Sequence, residues 1–115
     1  MASDSRDPRM TLPTQLVLRA LLEEPAREMY GLEVCSRAGL KSGTIHPILA
    51  RLEQAEWLES RWEETNPREE GRPRRRYYRL SPDGAVRACN ALARASETAA
   101  ALQRLRPGLT LGGIA

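Results

Sequence analysis

The side chains best suited to chemistry fall in two clusters. Between Gly71 and Arg79 stand five arginines, Arg72, Arg74, Arg75, Arg76 and Arg79, with no acid among them and Tyr77 and Tyr78 interleaved. A guanidinium is planar, permanently charged and forked, so a strand of this composition can lie along phosphates or reach guanine edges. The same run is also what a soluble edge strand carries to stay unpaired, and Glu63, Glu64, Glu69 and Glu70 dilute its field. Upstream, Lys41, Ser42, Gly43 and Thr44 lead into His46, Pro47 and Arg51. Small and hydroxylic groups come first, then an imidazole and a cation, which suits close approach to a polymer carrying phosphates and hydrogen-bonding edges.

No catalytic constellation accompanies them. His46 is the one histidine, and no phosphate loop or paired carboxylate in an apolar frame appears. Cys35 and Cys89 lack the close spacing of a zinc or redox motif and fall on apolar faces of helical stretches, where buried reduced thiols are expected. We therefore expect no enzyme, no metal and no cofactor. In 115 residues with 41% apolar and 29% charged side chains there is room for one core. The net charge is only +3, yet all but one of the 18 cationic residues are arginines, the pattern of a nucleic-acid partner as well as of GC-rich coding. The polar start MASDSRDPRM has no apolar signal core and no stretch is long enough to cross a bilayer, so a cytoplasmic protein without membrane contact is expected.

The elements that must position these residues follow from periodicity. Within 41–56, Ile45, Ile48, Leu49 and Leu52 make the i, i+3, i+4, i+7 stripe of a short helix, with Thr44, His46, Pro47, Ala50, Arg51 and Gln54 on the rest of the wheel. Ser42 suits the N-cap, its hydroxyl accepting from Thr44 or Ile45 N–H, and Pro47 predicts a widened or irregular first turn. On pattern alone such a helix is a core helix, and its surroundings decide otherwise. Before it, Leu16, Val17, Ala20 and Leu21 form a helical stripe ending near Glu24, broadened by Leu18 and Leu22 as if a subunit partner lay on a second side. A second helix over 30–38 directs Leu32, Val34 and Cys35 inward and stops at Gly39. Two helices joined by so tight a glycine turn outline a helix-turn-helix.

After it, 57–65 and 74–80 alternate as strands of a hairpin around the loop 66–73, with Trp57, Trp62 and Tyr78 as hairpin packing. Ser81-Pro82-Asp83-Gly84 then starts a long helix through Ala85, Cys89, Leu92, Ala95, Ala99, Leu102 and Leu105 to Pro107-Gly108. Nothing later in the chain covers that stripe, so a second copy of the same helix is expected on it.

This order is a winged helix-turn-helix, and the wording MYGLEV from Met29, SGTIHPILARLEQAEWLESRWEE from Ser42 and GRPRRRYYRLSPDG from Gly71 resembles the PadR family of transcriptional regulators over residues 12–105. The resemblance is to the short subgroup with a single C-terminal helix. It implies a dimeric repressor of inverted-repeat DNA near promoters, relieved in some members by phenolic acids or aromatic drugs, so a small aromatic effector joins the expected partners. His46 departs from the tyrosine usual in this segment, and the terminal helix has no tryptophan to stack such a drug.

The expected fold is mainly α with a small β-hairpin, a winged helix-turn-helix plus a long C-terminal dimerisation helix. Residues 1–10 form a flexible arm, 11–81 the DNA-binding domain, 82–106 the dimerisation helix and 107–115 a flexible tail. Lys41, Ser42, Gly43, Thr44, His46, Pro47 and Arg51 are expected to meet double-stranded DNA from the recognition helix, and Arg72, Arg74, Arg75, Arg76 and Tyr77 from the wing. Leu16, Cys89, Leu92, Ser96, Ala99, Leu102 and Leu105 are expected to form the homodimer seam. The rival reading is a winged-helix module that binds an acidic protein and no DNA.

Overall fold

Thr11 ends the extended N-terminal segment and caps α1 (Leu12–Leu22): its hydroxyl accepts from Thr14 N–H at 3.3 Å, and Pro13 sits in the first turn, where a missing N–H costs nothing. The computed structural model describes residues 7–105. α1 buries Val17, Leu18, Ala20 and Leu21, and the chain's own α2 (Gly31–Ala38), α3 (Ser42–Gln54), β3 (Arg76–Leu80) and α5 (Pro82–Leu105) pack against it. Its broad apolar surface is thus largely used within one chain; Leu16 is half-buried and Leu12 exposed.

α2 ends where expected, at Gly39 with φ 71°, whose N–H and that of Leu40 both reach the Cys35 carbonyl, at 2.9 and 3.1 Å. Val34 is fully buried and Cys35 half-buried, but Leu32 is 67% exposed. Leu32 and Val34 stand two residues apart, about 200° around a helix, so they cannot share a face. The expectation that both point inward is corrected.

α3 buries the expected Ile45, Ile48, Leu49 and Leu52. Its cap differs. Lys41 is the N-cap residue, without a side-chain capping bond, and Ser42 is already helical; the Lys41 carbonyl accepts from both Thr44 and Ile45 N–H at 3.0 Å. The first turn is therefore tightened rather than widened, and the helix continues unbroken through Pro47. His46 Nδ1 lies 2.8 Å from the Ser42 carbonyl. A carbonyl only accepts, so Nδ1 is the donor in this contact.

The chain leaves α3 through Glu56, at φ 65°, with Trp57 N–H closing onto the Leu52 carbonyl at 2.9 Å. It then runs through β2 (Leu58–Trp62), the single turn α4 (Pro67–Glu70) capped by Asn66, and β3. The expected hairpin is the larger part of a three-stranded antiparallel sheet of order β1-β3-β2, whose first strand, β1 (Met29–Tyr30), precedes α2. Met29 pairs with Tyr78 and Tyr30 with Tyr77; Ser60 pairs with Tyr78 and Trp62 with Arg76. A two-residue strand has no period of its own, so pattern reading passes over it.

The Ser81 hydroxyl accepts from Gly84 N–H at 2.9 Å and so caps α5 as expected, while Ser81 N–H donates to the Trp57 carbonyl at 3.0 Å. That places α5 so near β2 that a Cβ on Gly84 would stand 2.1 Å from the Trp57 carbonyl oxygen. Gly84, Ala88 and Ala91 are the buried residues of α5; Leu92 is half-buried. Cys89, one residue and about 100° beyond Ala88, is exposed, which corrects its expected burial. Residues 7–10 lie along the body: Met10 packs on the core, its carbonyl accepts from the Gln15 amide at 2.9 Å, and Asp7 stands 3.8 Å from Arg87. The rest of the expected arm (1–6), Arg106 and the tail 107–115 lie outside the described residues.

Candidate nucleic-acid interface

The stripe that anchors α3 fixes what the helix shows to solvent. Opposite it, at about 100° per residue, run Gly43, Pro47, Ala50 and Gln54, all exposed. They make a thin, uncharged ridge that fits a major groove about 12 Å wide. Lys41 and Ser42 are exposed at its start; Thr44 and Arg51 lie on one flank, His46 and Glu53 on the other.

The wing meets the His46 flank. Leu58 and Leu80 put one face of the sheet on the core, and farther out on that face Arg76 donates to Glu53 at 3.2 Å and to the Ser60 hydroxyl at 2.7 Å, while Ser60 also donates to Glu53. Trp62, 56% exposed, lies there too, with the Arg76 guanidinium 5.1 Å from its ring. Tyr77 belongs to the other face: its ring meets Tyr30 edge-on at 5.9 Å and carries the Arg61 guanidinium at 5.1 Å. Arg61 is forked onto Glu28 with two 2.7 Å bonds, which hold the Glu28 carboxyl below and the Arg61 guanidinium above their usual ranges. Tyr77 thus sits among its own chain's side chains, on the face turned from α3.

Arg72 forks onto Glu63 at 2.8 and 3.0 Å, and Arg75 N–H reaches the same carboxylate at 3.2 Å. The Arg72 bonds chiefly, with the Arg75 amide behind them, pull Glu63 down to about 2 against the opposing effect of burial. Glu63 in turn raises Arg72. Burial pushes the Tyr78 phenol up. Arg74 donates Nε to the Thr65 carbonyl at 2.7 Å, and Arg75 stacks its guanidinium 4.0 Å from the Tyr30 ring. Stacking uses the faces of the guanidinium and leaves its N–H edges available.

One groove of about 350 Å³ joins the two expected clusters: His46 and Gly31 line it on one side, Arg72, Arg75 and Arg76 on the other, with Tyr30, Leu32 and Tyr78 between. A Cβ on Gly31 would stand 3.3 Å from His46 Nε2, so the glycine is what lets the imidazole lie against α2. Arg51 is absent from this groove and lines a separate cleft with Arg9. Sequence reasoning passes over Tyr30 and reads Leu32 and Trp62 as packing residues rather than as part of this surface; Tyr30 is placed by its pairing with Tyr77 and Trp62 by its pairing with Arg76, which the local pattern does not carry. On α5, Cys89, Ser96, Ala99, Leu102 and Leu105 are all exposed, Leu102 by 59% and Leu105 by 78%. Among the described residues no group of three or more His, Cys, Asp or Glu is placed to hold a metal, and no helix is long and apolar enough to cross a membrane.

The model of one protein family, the transcriptional regulator PadR-like family, matches residues 17–89. Among solved structures the chain is similar to the PcaV transcriptional regulator of Streptomyces coelicolor, crystallised with its natural ligand, at 26% identity and a TM-score of 0.59; the match covers 90% of this chain and 65% of that one. A PadR family transcription regulator of Clostridium difficile R20291 is 22% identical, with a TM-score of 0.55 over 83% of this chain and 94% of that one. A putative DNA-binding protein of Ralstonia eutropha, 21% identical, shares the fold over 71% of this chain and 96% of its own, with a TM-score of 0.55. No curated protein matches the chain in sequence.

Proposed function

The chain belongs to the transcriptional regulator PadR-like family, and on that premise we propose that it represses transcription as a homodimer bound to an inverted-repeat operator. The observation that carries this reading is the groove shared by His46 and the wing arginines Arg72, Arg75 and Arg76, beside an uncharged ridge of α3. The ridge enters a major groove, where Thr44 and His46 stand nearest base edges. The wing follows the adjoining backbone through Arg74 and Arg75, whose guanidiniums have no carboxylate partner among the described residues, joined by Arg72 and Arg76 when phosphates displace Glu63 and Glu53. Phosphate contacts set affinity and base contacts set preference.

Two-fold symmetry places half-site centres about 34 to 36 Å apart, and a site so occupied obstructs polymerase. A dimer neutralising on the order of six phosphates gives a log affinity against log salt slope near minus five. The test is recovery of genomic fragments by the pure protein, followed by anisotropy titration of the strongest fragment across salt. Enrichment of inverted repeats and a steep slope are expected; no enrichment and a flat slope would overturn the reading. Replacing Arg75 by Ala weakens all sequences alike, whereas replacing Thr44 or His46 changes which sequence is preferred. Release by a small aromatic molecule belongs to the same reading, supported by the resemblance and by a structural relative captured with its natural ligand; a ligand-dependent rise in Tm is its measurement.

A further inference from the structure

The flank of α3 remote from the wing carries a second basic cleft. Asp7, Arg9, Thr11, Arg51 and Gln54 line a cavity of about 840 Å³ between the N-terminal segment and the C-terminal half of α3. Gln54 belongs to the exposed ridge, so this cleft opens beside the surface offered to the major groove. Arg9 and Arg51 are exposed. Asp7, the one acid on the cleft wall, is turned partly to Arg87 at 3.8 Å, and the Thr11 hydroxyl is spent on Thr14 at 3.0 Å. The backbone under Arg9 is held from both sides, by that Asp7 contact and by the Gln15 amide on the Met10 carbonyl.

A helix lying in a major groove has a sugar–phosphate backbone along each lip. The wing attends one lip, on the His46 flank; the cleft stands at the other. We propose that Arg9 and Arg51 form a second phosphate clamp, gripping the strand opposite the one held by the wing. This rests on the DNA-binding reading above and adds to it a residue, Arg9, and a strand.

The test uses the full chain with two probes, a duplex carrying the strongest recovered genomic site and a mixed-sequence duplex of equal length. Arg9→Ala should weaken both by about tenfold per lost contact near 0.1 M salt and make the salt slope shallower by about 1 per contact, whereas Arg9→Lys keeps most of the slope. Ethylation interference should lose the phosphates on the strand away from the wing and keep those beneath it. An unchanged Tm shows that the variant is folded. Unchanged affinity and interference in Arg9→Ala, while the parent binds, would sink the clamp and leave the regulator reading standing. Absence of binding by the parent would sink both.

Discussion

Arg76 is already occupied before any DNA arrives, by Glu53 and the Ser60 hydroxyl. A phosphate must displace the carboxylate to use it, so Glu53 subtracts from affinity on every sequence. Glu53→Gln removes the charge and keeps the shape; we expect tighter binding to all duplexes, severalfold, with a salt slope steeper by about 1 per protomer. Weaker binding in an anisotropy titration would mean that Glu53 instead holds Arg76 in its binding pose. Two backbone positions give stability tests. Gly84→Ala drives a methyl to 2.1 Å from the Trp57 carbonyl oxygen, between two backbones that cannot yield, and should lose about 3 kcal/mol in urea unfolding, the upper end for overpacking. Glu56 holds a left-handed conformation that costs a side-chain-bearing residue about 1 kcal/mol. Glu56→Gly should therefore hold or gain up to about 1 kcal/mol, while Ala55→Gly, at φ −79° in the right-handed region, loses about as much. An equal loss at both sites would show that the left-handed turn carries no strain.

At the element scale, Glu63 ties the two arms of the wing loop. Glu63 receives Arg72 and the Arg75 amide at the base of the loop, and its folded-state pKa, about 2, lies below the ordinary carboxylate value of about 4.3. A lowered carboxylate adds stability that is present above its unfolded value and lost as pH falls through its folded one. We expect the Glu63 carboxyl carbon to titrate in NMR with a midpoint near 2, and the protection of the Arg75 N–H, taken against its intrinsic exchange rate at each pH, to fall over the same range. A midpoint near 4 would mean the clasp is open in solution, and Glu63→Gln should show fast exchange already at neutral pH. None of this clasp is visible to periodicity, since Glu63 and Arg72 sit on opposite arms of a loop. The helices were legible because stripe, glycine stop and serine cap are local: Ile45 to Leu52, Gly39 and Ser81 stand as read. What the reading lost was set by contacts distant in sequence or by a residue's angle on its helix. β1 exists only by pairing with β3, Tyr77 faces Tyr30 because of that pairing, and Leu32 is exposed because 200° separates it from Val34.

Across the whole molecule, α5 is the helix that the other described residues cover least. Its 24 residues extend about 36 Å, yet the last buried one is Ala91, and beyond it Ser96, Ala99, Leu102 and Leu105 face solvent along the distal turns. A helix that far from a core is marginal alone in water, so the distal turns need a covering surface, and a second α5 offers one of matching period. In the proposed homodimer this seam would set the distance between the two α3 ridges, so the spacing of the proposed operator would depend on α5. Charging it is the decisive perturbation: Leu102→Glu with Leu105→Glu buries nothing wrongly in the single chain, where both are exposed, but puts four carboxylates into a two-fold seam. Sedimentation equilibrium should show a monomer, near-UV circular dichroism should keep the signal of the buried Trp57, and affinity for an inverted repeat should fall by about 10² or more as the second half-site loses its tethered partner. A dimer that survives the double charge would move the interface to α1, where Leu12 is 67% exposed. It would also release the spacing of the half-sites from the length of α5.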